Sequence, residues 1–255
     1  MQQTTIVHRQ TLSIVKPLFI LAMISAIVCS FLIDTMNAAS KKAFIPRIDS
    51  VNYIGFTVKV PRQIGPGSWY GKQFHNRKTA SGQLFDMYGY TAAHRTLPLG
   101  SIAKVTSEKT GKSVLVCIND RGPYVYHRII DLSFHAAGQI GNRLDKLAVE
   151  YFTPSQISML GPLTFNTAKY FGFTSNHQPM IIPLYACTNL EVFKDFSDAI
   201  KRQQERQNVE SKSGAESVIM IVPDNSSKKS RMPKYTFLVS SITSELAFGV
   251  LPAHE

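Results

Sequence analysis

The chain has 255 residues, 44% of them hydrophobic and 18% charged, which suffices for one or two domains with real cores and excludes a wholly disordered chain. Lys and Arg number 28 against 17 Asp and Glu, a formal charge of +11 that directs attention to polyanionic partners: nucleic acid, an anionic membrane face or an acidic wall polymer.

Residues 1–16 carry Arg9 and Lys16 and no acid, residues 17–33 are uncharged and largely apolar, and Asp34 precedes the small-residue patch Asn37, Ala38, Ala39 and Ser40. This order of basic, apolar and small segments is that of a secretory signal peptide. Cleavage after Ser40 places Ala38 and Ser40 at the two small-residue positions, and cleavage after Ala38 or Ala39 fits nearly as well. The other reading of residues 1–40 is an uncleaved anchor, although an apolar run of 17 residues is at the short limit for crossing a bilayer. Lipidation at Cys29 is disfavoured, because Ile27 and the bulky, β-branched Val28 precede it where a lipobox needs small residues. The expected compartment is therefore the periplasm or cell envelope. Loss of residues 1–40 leaves +10, a charge that suits an anionic wall or membrane surface rather than nucleic acid. Membrane contact is expected only through the signal or anchor.

Residues 41–65 read as a linker punctuated by Pro46, Pro61 and Gly65. From residue 66 to 152 short apolar runs alternate with Gly- and Asp-rich turns, the texture of a small β-rich domain. Ser101–Thr106 reads as a strand, Glu108–Lys112 with Gly111 as a hairpin turn, and Val114–Ile118 as a strand covered on both faces. Leu147–Phe152 is another strand. The one helix expected in the domain begins at Ser133 as N-cap, runs from Phe134 to Ile140 and stops at Gly141. Few strands and a single helix suggest a small barrel rather than a doubly wound sheet.

Residues 153–255 form a C-terminal extension of no assignable fold, expected to be partly disordered. Within it, Leu190–Gln207 has a helical period with Leu190, Phe193, Phe196 and Ile200 on one side, Val209–Lys234 is polar, and Tyr235–Ile242 has strand character. Cys117 and Cys187 can either pair in an oxidising compartment or remain free, Cys117 as a buried thiol. No metal-ligand spacing is present.

Several short segments have chemical content. Trp69-Tyr70 between glycines offers ring faces for stacking on a pyranose, with core packing as the plain alternative. Thr79-Ala80-Ser81-Gly82-Gln83 supplies hydroxyls and close backbone approach. His94 ends Thr91-Ala92-Ala93-His94 and suits a hydrogen bond to a carboxylate or to substrate, or a purely structural one. Asn119-Asp120-Arg121-Gly122-Pro123 and Ile130-Asp131-Leu132-Ser133 each place an aspartate at the end of an apolar run, at a barrel rim. Arg121 beside Asp120 reads either as a substrate contact or as an ion-pair partner.

Taken together and in this order, Trp69-Tyr70-Gly71, Thr79–Gly82, Phe85-Asp86-Met87, Thr91–His94 with Thr96–Gly100, Asn119–Pro123 and Ile130–Ser133 resemble the RlpA (rare lipoprotein A) family over about a third of the chain. The resemblance implies a mainly β fold, a six-stranded double-psi β-barrel of the kind shared with expansins, with one short helix. It implies an endolytic peptidoglycan lytic transglycosylase that breaks the β-1,4 bond between N-acetylmuramic acid and N-acetylglucosamine. The muramoyl C6 hydroxyl is the nucleophile and the product is a 1,6-anhydro end, so one carboxyl group suffices as acid and base. By resemblance that group is Asp120, with His94 in the cluster, Asp131 as second candidate, and Trp69, Tyr70, Thr79, Ser81 and Arg121 on the glycan. No cofactor is implied. Peptidoglycan strands are the expected partner, with cell-division or envelope proteins beside them. Where the family has a glutamate after the Thr79–Gly82 segment this chain has Gln83, which cannot carry a proton at neutral pH. That departure motivates the alternative of a non-catalytic, wall-binding or wall-loosening module.

Overall fold

The structure, a computed structural model, describes residues 50–53, 56–141, 144–160, 169–211, 214–224 and 230–243. The signal or anchor segment, residues 1–40, lies outside the described residues. Among the described residues no helix is long and apolar enough to cross a membrane.

The first two strands, β1 (Ser50–Tyr53) and β2 (Phe56–Lys59), form an antiparallel hairpin. Strands β3 (Arg62–Gly65), β4 (Gly67–Trp69), β5 (Thr91–His94), β6 (Ile102–Ser107), β7 (Ser113–Asp120), β8 (Ile130–Leu132) and β9 (Leu147–Phe152) then form one sheet in the order β3-β9-β6-β7-β5-β8-β4. The two ends of that order, β3 and β4, are neighbours in sequence and separated only by Pro66. Proline has no N–H to give a ladder, so it divides one extended segment in two. The N-terminal piece pairs antiparallel with β9 and the C-terminal piece parallel with β8, which closes the sheet into a barrel. Counted as one strand, residues 62–69 make the six strands expected. Because β3 supplies one wall of the joint, residues 62–65 belong to the barrel sheet, although their flanking prolines and glycines gave them the texture of a linker.

Closure requires tight approach at Gly67. A Cβ there would lie 2.7 Å from Leu147 Cδ1 and 2.8 Å from the Ile130 carbonyl oxygen. The hairpin turn at Gly111 forms as expected, with Gly111 in the left-handed region at φ 72°. Helix α1 (Phe134–Ile140) has Ser133 as its N-cap, accepting from the Ala136 amide, and ends at Gly141.

After α2 (Pro154–Met159), strands β10 (Lys169–Thr174), β11 (Pro179–Pro183), β12 (Thr188–Phe193), β13 (Ala215–Asp224) and β14 (Lys234–Thr243) form an antiparallel sheet in the order β11-β10-β13-β14-β12. Helix α3 (Phe196–Glu210) packs on it. The helical period seen from Leu190 is thus part strand and part helix. β12 pairs with β14, and the boundary is set by Asp195, whose carboxylate accepts from the Ser197 and Asp198 amides as an N-cap. β13 lies inside the stretch that reads as polar, and its apolar centre, Val218–Ile221, is buried.

The C-terminal sheet is what covers the outside of the barrel. Phe152 of β9 stacks on Phe171 at 4.7 Å between ring centroids, Tyr235 donates its hydroxyl to the Gly100 carbonyl, and the Tyr90 amide donates to Ser197 Oγ. This explains why every residue of β6 and residues 114–119 of β7 are buried on both faces. Cys117, on β7, and Cys187 are both free thiols, and burial pushes the Cys117 thiol up to about 12.

Candidate active site

The site is built on β5 and its two neighbours. Ala93 of β5 is the register partner of Asp120 on one side and of Asp131 on the other. With strands about 4.8 Å apart, the two aspartate backbones stand roughly 10 Å from each other across Ala93.

Asp120 is the last residue of β7, partly exposed, and three donors converge on its carboxylate. Oδ1 accepts the Ala80 amide and the Arg121 amide, both at 2.8 Å. Oδ2 accepts the Tyr70 hydroxyl at 3.1 Å. The Ala80 amide is aimed by a short strap, residues 79–83. In that strap Thr79 N–H donates to the Gln83 carbonyl at 2.8 Å, Gly82 N–H donates to the Thr79 carbonyl at 2.9 Å, and the Ser81 amide donates to the Asn119 carbonyl at 3.1 Å. Gly82 takes φ 91°, which a side chain would strain. Oδ1 is therefore committed to backbone donors, and among the described residues Oδ2 receives the Tyr70 hydroxyl. Burial, and then the charge of Asp120 and its hydrogen bond, raise the Tyr70 pKa well above the usual tyrosine value, with a smaller contribution from Asp131. The Tyr70 hydroxyl keeps its proton and remains a donor to Asp120.

Asp131 is held differently. It is 8% exposed, and its Oδ1 accepts the Ser68 hydroxyl at 2.5 Å from the partner position on β4. Arg128 donates to the same hydroxyl and lies 3.9 Å from Asp131 Oδ1. The Asp131–Ser68–Arg128 cluster ties the closing strand β4 to β8, so Asp131 works inside the barrel joint while Asp120 stands at its end.

His94 is placed beside neither carboxylate by its hydrogen bonds. Its Nδ1 accepts the Thr96 and Leu97 amides at 3.2 and 3.1 Å, which leaves the proton on Nε2, donated to Gln63 Oε1 at 3.0 Å. The residue is 3% exposed, and burial together with the Arg121 and Arg95 charges holds its pKa down at about 4. Both ring nitrogens thus shape the turn after β5. Of the two readings the sequence leaves open for His94, a bond to a carboxylate or substrate and a purely structural one, the observed hydrogen bonds are those of the structural one. Arg121 joins the same turn, donating from Nη1 to the His94 and Leu97 carbonyls at 3.2 and 2.8 Å.

Gln83 sits on the exposed side of the strap. Its Oε1 accepts from Asn119 Nδ2 at 3.2 Å and from Ser81 Oγ at 3.3 Å, and the Thr79 and Ser81 hydroxyls are 2.9 Å apart. Trp69 and Tyr70 do not form one platform. Side chains alternate along β4, so Trp69 points away from the Ser68–Asp131 pair. It meets Phe134 of α1 edge-on at 5.4 Å and is 42% exposed, while the Tyr70 ring packs on Phe74 and Phe85 beside Asp120.

Sequence reasoning passed over three contributors: Ser68, the Ala80 amide and Tyr124. Tyr124 is 88% exposed on the loop after Asp120. The signal for Tyr124 was its position directly after the Asn119–Pro123 segment. A backbone amide leaves no signal in residue type.

Residues 62–151 match a double-psi β-barrel family described as lytic transglycolase. An endolytic peptidoglycan transglycosylase RlpA of Pseudomonas aeruginosa is 55% identical over 80 residues, 31% of this chain and 24% of that protein. An endolytic peptidoglycan transglycosylase RlpA of Vibrio cholerae is 53% identical over 87 residues, 34% of this chain and 31% of that protein. The match thus spans about a quarter to a third of these relatives' length. Among solved structures, Streptomyces papain inhibitor aligns at 18% identity with a TM-score of 0.30, covering 36% of this chain and 94% of that one. The domain of residues 62–151 is an RlpA-like double-psi β-barrel.

Proposed function

We propose that the RlpA-like barrel of residues 62–151 is an endolytic peptidoglycan lytic transglycosylase, with Asp120 as its acid and base. The observation that supports this reading most directly is the arrangement of donors on Asp120. Two backbone amides fix Oδ1, and among the described residues Tyr70 alone addresses Oδ2.

In this reading Oδ2 gives its proton to the oxygen bridging N-acetylmuramic acid and N-acetylglucosamine as the anomeric C–O bond breaks. The C6 hydroxyl oxygen of the muramoyl residue then bonds to the anomeric carbon, and its proton returns to Oδ2. No water is consumed, and the atoms balance with one carboxyl group serving twice. A second carboxylate to activate water, as in ordinary glycosidases, has no task here. Asp131, already bonded to Ser68, takes a positioning role, keeping β4 and with it the start of the Tyr70 segment in place. Thr79, Ser81 and Gln83 present hydroxyl and amide groups to the sugar beside Oδ2, and Tyr124 offers an exposed ring for stacking.

The second reading, a wall-binding module without catalysis, is favoured by one specific residue. Gln83 is an amide where the resembling family has an acid, and an amide moves no proton. Incubation of the exported portion with purified sacculi separates the two. Soluble fragments with 1,6-anhydro ends support the enzyme, whereas sedimentation with the sacculi and no soluble product supports the module. Export to the periplasm or cell envelope, with peptidoglycan strands as partner, belongs to both readings.

A further inference from the structure

The turn after β5 and the loop after β7 are tied by two arginines that cross in opposite directions. From the turn, Arg95 donates to three carbonyls of the loop: Nε to Pro123 at 2.8 Å, and Nη2 to Val125 and Arg128 at 3.2 and 2.5 Å. From the loop, Arg121 donates Nη1 to the His94 and Leu97 carbonyls of the turn at 3.2 and 2.8 Å. The donors of a guanidinium form a rigid fork, so three carbonyls on one arginine fix a path of chain rather than a single point.

That path carries exposed rings. Tyr124, Val125 and Tyr126 are consecutive and point to solvent, Tyr124 at 88% and Tyr126 at 76% exposure. Large side chains placed this way bury nothing for the fold. Next to them His127 takes φ 73°, a left-handed conformation for a residue with a Cβ, and its ring meets Tyr126 edge-on at 3.9 Å between centroids. Such a backbone persists where its surroundings hold it, and Arg95 grips carbonyls on both sides, at Val125 and Arg128. The loop also begins directly after Asp120 and ends at β8, which carries Asp131. Held in this way, it is a preformed stacking edge beside the carboxylate. A loose loop has to be ordered by its ligand, at an entropic cost to affinity.

We propose that Arg95 is a positioning residue of the glycan site, pinning the loop of residues 121–129 so that Tyr124 and Tyr126 meet the strand beside Asp120. The inference rests on the glycan reading above, since the strand is what the rings stack on. It applies to the enzyme and to the wall-binding module alike.

The test is titration calorimetry on the full chain carrying Asp120→Asn, so that the probe survives, with a tetrasaccharide of alternating N-acetylglucosamine and N-acetylmuramic acid. Adding Arg95→Ala should weaken binding about three- to tenfold and leave the number of binding sites unchanged. Fewer sites at unaltered affinity would show an arginine that serves folding alone and would overturn the inference. Arg95→Lys keeps the charge but not the fork, and should remain weakened at least about threefold. Full affinity in that variant would mean general attraction for the muramoyl carboxylates, and would also overturn it. Tyr124→Ala with Tyr126→Ala should lose a similar factor, and Arg95→Ala on top of them should cost less than about a further twofold, because the arginine acts through the rings. Losses that simply multiply would contradict this. Each of these failures leaves the glycan reading intact. Binding of the tetrasaccharide without any anhydro fragments from the native chain would count against the enzyme alone and not against Arg95. No binding with Arg95 in place would overturn both the inference and the glycan reading.

Discussion

Tyr70 donates its hydroxyl to Asp120 Oδ2 at 3.1 Å across 50 positions of sequence. Burial and the aspartate charge keep that hydroxyl protonated, so it is a fixed donor to the one carboxylate oxygen free of backbone bonds. Removing it leaves the Tyr70 ring on Phe74 and Phe85 and changes only the environment of Oδ2. Tyr70→Phe is therefore expected to slow release of anhydro fragments about ten- to a hundredfold, with sacculus binding changed less than about threefold. An unchanged turnover number would show that the hydroxyl takes no part.

The barrel was largely legible because its signals are local. Ser133, the α1 apolar positions and Gly141 state a helix with both ends, and Leu147–Phe152 states a strand. The joint was not legible. That residues 62–65 and 67–69 pair with different strands follows from Pro66 lacking an N–H in a context that only the closed sheet supplies. The same holds for the site. Asp120 announces itself at the end of an apolar run, but its partners are a backbone amide at Ala80 and a tyrosine from another segment. The sequence leaves His94 open between a bond to a carboxylate or substrate and a structural one, because the Thr96 and Leu97 amides that its Nδ1 accepts leave no signal in residue type. In the C-terminal region, helical spacing at Leu190–Phe193 competed with pairing to β14, and pairing prevailed.

Gln83 is used in the structure through its acceptor, Oε1, which binds Asn119 Nδ2 and Ser81 Oγ. A carboxylate accepts the same two bonds. If Asp120 is the only proton carrier, Gln83→Glu should alter the rate of fragment release by less than about threefold and leave the melting temperature unchanged. A gain above about tenfold would show that proton transfer at this position is what the native chain lacks, and would favour the binding-module reading.

Barrel closure makes a prediction at Gly67. A methyl group there meets Leu147 Cδ1, a side-chain end, and the Ile130 carbonyl oxygen, which is backbone and cannot turn aside. Gly67→Ala is expected to destabilise by about 1–3 kcal/mol, as overpacking does. At Gly65 the added Cβ would meet only the flexible Ile129 side chain, at 2.8 Å, and the cost should be smaller. Denaturant unfolding of the two variants checks the order.

The stability of the fold should depend on pH through two histidines, the buried His94 and the half-buried His177. Burial holds His94 down to about 4, below the ordinary 6.5, and His177 likewise. Between pH 6.5 and 4 the unfolded chain takes up protons that the folded chain refuses. Stability is therefore full above pH 6.5, falls as pH drops toward 4, and levels off below that. For His94 the loss amounts to about 3 kcal/mol. His94→Asn, which keeps an acceptor for the Thr96 and Leu97 amides, should flatten roughly half of the decline and leave the part due to His177. Melting curves at half-unit steps of pH measure it, and an unaltered slope in the variant would contradict the neutral, buried histidine.

The most direct measurement is mass spectrometry of the products released from purified sacculi by the native chain, by Asp120→Asn and by Asp131→Asn. The native chain is expected to release fragments with 1,6-anhydro ends. Asp120→Asn, which keeps its shape and an oxygen to accept the backbone amides, should release none, and Asp131→Asn should release less in proportion to its loss of folded protein. Anhydro fragments released by Asp120→Asn at the native rate would contradict the assignment of Asp120 as the proton carrier.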